Sequence, residues 1–364
     1  MSHNNPTPAP ARLADTSEDY ARLGIEPRAI KPSEDGMRTD GAPGSYEWWY
    51  FDAHLDDGAK LVVVFLTKEF TDLSKPLTPK VRIDLTLPDG TTRQKAAELP
   101  AESFSASTDT CDVRIGDNVF TGDLQTYTIR AQVEEVQVEI VLKGDVPAWR
   151  PETGVWLFGE QGEHDFSWLP SVPQGSVEAT YRVDGDSHTA NGVGYHDHNW
   201  GNASMLELMH HWYWARGAAG PYSVITSYIT AQERYGYTEL PVFMLARDGN
   251  PIADDGTRVT FEELGPYTDT KTGKPVGNLT RYTYTDGDER YVVTWTRHTD
   301  LGASKLIDQI KGPKKAAARL AGFDGAYLRF AGELRVDHYQ GEELVDSHTG
   351  DALWELMYFG KARP

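Results

Sequence analysis

The stretch EWWYFDAHLDDGAKLVVVFLT, residues 47–67, returns in outline as HHWYWARGAAGPYSVITSYIT, residues 210–230. Each copy sets an aromatic run before a glycine-containing turn and an apolar, β-branched run after it. Such residues suit the pleated surface of a sheet, and the turn between them joins two strands. Each copy is followed later by a second aromatic-rich run, GYHDHNWG at 194–201 and ALWELMYFG at 352–360. A repeat of this kind predicts two copies of one architecture, each opened and closed by an aromatic strand.

The sequence around the repeat agrees. KLVVVFLTKEF, VRIDLTL, TYTIRAQV, VQVEIVL, VEATYRV, RYTYT, RYVVTWT and YLRFAGELRVDHY alternate in polarity or are β-branched and aromatic, as strands require. LDDG, LPDG, VDGD and TDGD lie between strands and supply the positive φ of tight hairpins. Short strands with such turns predict an all-β protein of antiparallel barrels or sandwiches, and the repeat makes them two similar barrels, over 41–205 and 206–364. Residues 1–40 are rich in Pro, Asp and Ser and are expected to form a mobile or surface-wrapping arm. One helix is expected near 305–321, within SKLIDQIKGPKKAAARLAGF, with Ser304 as its cap and Gly322 as its end.

Composition narrows the function. A net charge of -20 repels phosphate backbones and anionic lipid, so nucleic acid and membrane surfaces are poor partners. Cys111 is the single cysteine, which excludes an intrachain disulfide and a multi-cysteine zinc site. The first twenty residues have no apolar core of the signal-peptide kind, and no apolar run reaches membrane-spanning length, so a soluble, cytoplasmic protein is expected. Neither a phosphate-binding glycine loop nor a serine nucleophile elbow is present. The oligomeric state is not encoded in any pattern.

EWWYFDAHLDDG, GYHDHNWGN and HHWYWARG, in this order, resemble the carotenoid 1,2-hydratase (hydroxyneurosporene synthase) and AttH-like family, from about Tyr46 onward. The resemblance implies two lipocalin-like antiparallel β-barrels side by side, an apolar cavity and no cofactor. Its members include hydratases of carotenoid double bonds, natural-product cyclases and Diels–Alderases. The hydratases use a Tyr-x-Asp step, which Tyr195 and Asp197 match, and an upstream His-x-Trp pair. Here DFSWLP offers Trp168 for the Trp, but Phe166 stands at the His position and His164 lies two residues earlier. That departure weakens hydration and leaves proton donation or substrate shaping intact.

In a strand, Tyr195, Asp197 and Asn199 share one face, and His196, His198 and Trp200 share the other. If the first face meets an apolar cavity, desolvation lifts the Asp197 pKa, and a neutral carboxyl protonates or hydrogen-bonds a substrate, with Tyr195 as its partner. The competing reading makes Asp197 a loop tie or a partner of Arg216. Trp168, Trp49 and Trp212, with Phe166, His211 and Asn199, are the expected substrate contacts, because ring faces shape a polyene and stabilise a developing cation. Core packing is the alternative for each ring. The His196/His198 pair has metal-ligand spacing, completed by His210, His211 or Glu207, but hydrogen bonding between the barrels is preferred and no metal is expected. Gly192, Gly194 and Gly201 are expected as bends.

These readings converge on a cofactor-independent cyclase or isomerase of a large, hydrophobic small molecule, a terpenoid or polyene polyketide. A Diels–Alderase-type pericyclase, a hydratase of an isoprenoid double bond and a non-catalytic metabolite carrier stand as alternatives.

Overall fold

The computed structural model describes residues 8–71, 73–308 and 323–362. The chain divides into two compact units: Leu13–Leu157 with Gln161–Ser204, and Met205–Pro364 with Met1–Arg12 and Phe158–Glu160.

The first unit is built on one antiparallel sheet. Its path runs from Thr92–Glu98 through Lys80–Thr86, Lys60–Leu66, Tyr46–Leu55, Asp186–Gly201, His164–Val183, Val136–Gly144, Thr126–Val133, Asn118–Gly122 and Cys111–Ile115 to Phe104–Ala106. Strand alternation sends Trp49, Phe51, Ala53 and Leu55 inward together with Val63, Phe65, Ile83, Ile129, Val138 and Ile140. Burying these side chains curls the sheet on itself, so that Phe65 meets Phe120 edge-on at 5.7 Å between ring centroids. Lys95 of one end strand reaches Glu134 at 2.7 Å. The VDGD turn between the two longest strands has Asp184 at φ 54° and Gly185 at φ 93°, the paired positive values of a two-residue hairpin.

The second unit repeats the plan, with strand order Asn250–Ala253, Glu239–Arg247, Tyr222–Ala231, Met209–Ala219, Glu343–Tyr358, Ala326–Gln340, Glu289–Lys305, Leu279–Asp286 and Val259–Leu264. The repeat seen in the sequence has a structural meaning. In each unit the opening aromatic strand is flanked by its hairpin mate and by the closing aromatic strand: Tyr46–Leu55 lies between Lys60–Leu66 and Asp186–Gly201, and Met209–Ala219 between Tyr222–Ala231 and Glu343–Tyr358. The protein is all-β with two lipocalin-like curled antiparallel sheets, as the patterning predicts.

One expectation needs revision. Ser304 is not a helix cap: the Glu289–Lys305 strand pairs through Lys305 with Ala326, so the ladder overrides the helical spacing. Leu306–Asp308 is a single 3-10 turn, and the rest of the expected helix lies outside the described residues. Within the expected arm, residues 8–40 are described and carry local structure. Thr16 caps a helix at Ser17–Leu23 with a reciprocal bond to Asp19, and Leu23 packs on Val155 and Leu157. Further on, Glu34 and Asp35 are buried, the former by a 2.7 Å ion pair with Arg150.

Candidate active site

The Asp186–Gly201 strand is held on one side by Tyr46–Leu55 in unbroken register, with Tyr195 opposite Asp52 and Asp197 opposite Tyr50. On its other side the ladder with His164–Val183 breaks twice, between Leu169 and Val172 and between Val172 and Gly175. Pro170 and Pro173 lie in this stretch and lack the N–H a ladder needs, so the strand bulges there. Tyr195 and Asp197 face the bulge, and the Trp168 indole reaches across to them.

A compact hydrogen-bonded cluster results. Tyr195 donates its hydroxyl to Asp197 Oδ2 at 2.7 Å, and Trp168 Nε1 donates to the same oxygen at 2.8 Å. Trp168 Nε1 also lies 3.1 Å from the Tyr195 oxygen, and Asn199 Nδ2 donates to Asp197 Oδ1 at 2.7 Å. All four side chains are buried. Aromatic rings surround them. Trp149 stands edge-on to Trp168 at 6.4 Å, Trp156 stacks on Trp168 at 6.3 Å, and Tyr50 meets Tyr195 edge-on at 6.3 Å.

Burial in this apolar shell lifts the Asp197 carboxyl from 3.8 to about 6, against the opposing pull of the Tyr195 hydroxyl, the nearby His196 and the Trp168 and Asn199 donors. Burial and the adjacent carboxylate push the Tyr195 phenol well above its usual value, so it remains a donor at neutral pH. The pair is a carboxyl close to its titration point beside a phenol that stays protonated.

The predicted residues separate into three places. Tyr195, Asp197, Asn199 and Trp168 come together, and Phe166 extends their wall by stacking on Trp156 at 5.7 Å. Trp49 does not join them: it faces the apolar filling of the curled sheet and stacks on His198 at 4.6 Å. His211 and Trp212 belong to the second unit, where His211 stacks on Tyr358 at 5.0 Å and Trp212 meets Phe359 at 4.8 Å. The acid therefore lies on the face of the sheet turned away from the core that fills it, rather than among the side chains inside. Asp197 is held by Trp168, Tyr195 and Asn199, a partner set that the loop-tie reading did not foresee. Gly192 is a close approach and not only a bend, because a Cβ there would lie 2.2 Å from the His54 carbonyl oxygen.

His196 and His198 find their partners inside the first unit. His196 Nδ1 lies 2.8 Å from the Tyr50 carbonyl oxygen, and His198 Nε2 lies 2.8 Å from Glu47 Oε1. Both also face Asp35. Sequence reasoning missed Asp35, Glu47, Trp149 and Trp156. Only the last three carried a signal, as an acid or rings near aromatic runs.

A cavity of about 480 Å³ opens on the other face of the same strands. Arg22, Arg38, Asp165, Ser167 and Trp200 contribute to its wall, and Trp168 is the one member of the cluster that borders it. Burial raises the Asp165 carboxyl to about 6, only partly offset by His164 and Arg22. Volume favours this cavity and chemistry favours the Asp197 cluster. The cluster weighs more, because convergent donors on one buried carboxyl are costly to assemble without a role.

A family model described as Diels-Alderase-like matches residues 42–271. The chain is similar to the Diels-Alderase ucsH of an Acremonium species, 24% identical over 298 residues, covering 76% of this chain and 70% of that one. Among solved structures it is similar to CghA, with TM-score 0.65, 15% identity and coverage of 93% and 96%. It is also similar to kievitone hydratase from Nectria haematococca, with TM-score 0.54, 14% identity and coverage of 96% and 97%.

Proposed function

The chain belongs to the Diels-Alderase-like family, and from that premise we propose that it is a cofactor-independent cyclase of a hydrophobic, polyene-type natural product, with Asp197 as acid or hydrogen-bond donor and Tyr195 as its partner. The observation that carries this reading is the convergence of Tyr195, Trp168 and Asn199 on one buried carboxyl inside an aromatic shell.

A substrate seated against Trp168 removes the remaining water from Asp197. Desolvation then favours its neutral form, which directs O–H toward a carbonyl or alkene of the substrate. On a carbonyl conjugated to a dienophile, such a bond withdraws electron density and lowers the barrier to ring closure. The fixed orientation of Tyr195 and Trp168 around the carboxyl avoids reorganisation during the reaction. Trp149, Trp156 and Phe166 hold the chain folded and add the advantage of proximity, which needs no proton transfer. Phe166 at the position of the hydratases' histidine removes a group that would activate water, and this favours ring closure over hydration.

Gene disruption in the producing organism, with mass spectrometry of the accumulated precursor and its incubation with purified protein, tests the reading. The expected product has the precursor's mass and one more ring. A product heavier by one water would make the protein a hydratase, and binding without conversion would make it a carrier.

A further inference from the structure

His196 and His198 point into the core of the first unit, behind the strand face that carries Asp197. The Tyr50 carbonyl can only accept, so His196 Nδ1 carries a proton and donates to it at 2.8 Å. Glu47 already accepts from the Arg38 and Thr39 backbone amides at 2.7 and 2.9 Å, so His198 Nε2 is the donor in its 2.8 Å contact with Glu47 Oε1. Each neutral imidazole is thereby left with one lone pair. His196 Nε2 directs it at Asp35 Oδ2, 3.2 Å away, and His198 Nδ1 directs it at Asp35 Oδ1, 3.5 Å away. Acceptor faces acceptor at both ends of a buried carboxylate. Asp35 Oδ1 and His198 Nδ1 are fully buried with no hydrogen-bond partner. Tyr127 donates its hydroxyl to Asp35 Oδ2 at 2.5 Å, which leaves Asp35 Oδ1 and His198 Nδ1 as the buried pair open to a proton or a cation.

The third member of the cluster argues for the metal. Cys111 is buried, and one ligand atom each from Asp35, Cys111 and His196 lie within 4.8 Å of one another. We propose that Asp35, Cys111 and His196 form a structural site for a divalent ion of the zinc type, with His198 beside the other Asp35 oxygen. A tetrahedral zinc site has ligand–ligand edges of about 3.3–3.6 Å; the His196–Asp35 distance of 3.2 Å is close to that, and the three ligand atoms lie within 4.8 Å of one another. Nitrogen, oxygen and sulfur donors together suit zinc rather than magnesium or calcium. The outer contacts fit as well, since a ligating histidine commonly donates its other N–H to a backbone carbonyl or a carboxylate. The ion would tie the segment carrying Asp35 to the strand that holds Tyr195 and Asp197 on its other face.

The ligands are sealed from solvent, so the ion enters while the chain folds and chelation of folded protein leaves it in place. The test is to unfold the full chain in guanidinium with chelator and refold it with zinc, with cobalt or with chelator alone. Zinc-refolded protein is expected to retain about one ion per chain after gel filtration and to melt several degrees above the chelator-refolded protein. The cobalt form should show a thiolate-to-cobalt charge-transfer band in the near ultraviolet, absent from Cys111→Ser. If that variant does not fold, the band and metal content of the native chain decide. Less than about a tenth of an ion per chain with equal melting temperatures would overturn the proposal, leaving imidazolium protons as the charge. Bound cobalt with no thiolate band would overturn it too.

Discussion

Asp197→Asn should cost the protein its turnover without costing it stability. The carboxyl is moved from 3.8 to about 6 by burial. At 1.36 kcal/mol per tenfold, its ionised form carries a penalty of roughly 3 kcal/mol in the folded protein. The sign follows from linkage. A raised folded value means that the folded state holds the proton more tightly, so this contribution is favourable below pH 4, declines as pH rises toward 6 and is lost at pH 7. Asparagine cannot ionise and escapes the penalty. Its side-chain oxygen still accepts from Tyr195 and Trp168, and Asn199 can turn its own amide to accept from the new one. The variant should melt at or several degrees above the native protein at pH 7, and show no such gain at pH 4. Turnover, followed as cyclised product, should fall by at least about a hundredfold if a proton is donated. A smaller loss in Asn than in Asp197→Ala would identify a hydrogen bond to a carbonyl instead. A lower melting temperature for Asn at pH 7 would mean the carboxylate is structural, and unchanged turnover in a folded variant would remove Asp197 from the chemistry.

Three further outcomes follow from other contacts. Tyr195→Phe removes one donor from Asp197 while Trp168 and Asn199 remain, so the variant should fold and lose about tenfold or more in turnover, measured under single-turnover conditions. Asp165→Asn should flatten the fall in urea midpoint between pH 4 and 6, because Asp165 is also raised to about 6; a curve parallel to the native one would contradict its burial. Arg150→Met leaves Glu34 buried without its 2.7 Å partner, and should cost about 3–5 kcal/mol by urea unfolding and expose residues 26–38 to protease; a loss under about 1 kcal/mol would show that the pair is dispensable.

How much of this was legible in the sequence depended on range. Strand runs such as KLVVVFL and hairpin turns such as VDGD act locally, through alternation and positive φ, and the structure places them as read. The sharing of one face by Tyr195, Asp197 and Asn199 is equally local, since it needs only the period of a strand. The partners of those faces were not legible. Asp35 lies 161 positions from His196 in a segment whose Pro, Asp and Ser content reads as a mobile or surface-wrapping arm. Trp49 read as a cavity wall because its ring face could shape a polyene, but strand alternation turns it into the core.

The run GYHDHNWGN reads in one line as a single cluster of titratable groups, and the pleat divides it into two. Odd positions from 195 to 199 meet the Trp168 side, where the bulged His164–Val183 strand opens the ladder; His196 and His198 meet Asp35 and Glu47 inside. A slip of one residue would exchange the sets, placing imidazoles against Trp168 and the Asp197 carboxyl in the core. The unbroken ten-residue ladder with Tyr46–Leu55 opposes that slip. So does Gly194, whose added Cβ would meet the Asp52 carbonyl oxygen at 2.9 Å and Val177 at 2.5 Å, so no residue with a side chain can take its place. The register that puts an acid on one face is therefore the same one that keeps the histidines on the other, and neither set can be moved without the other.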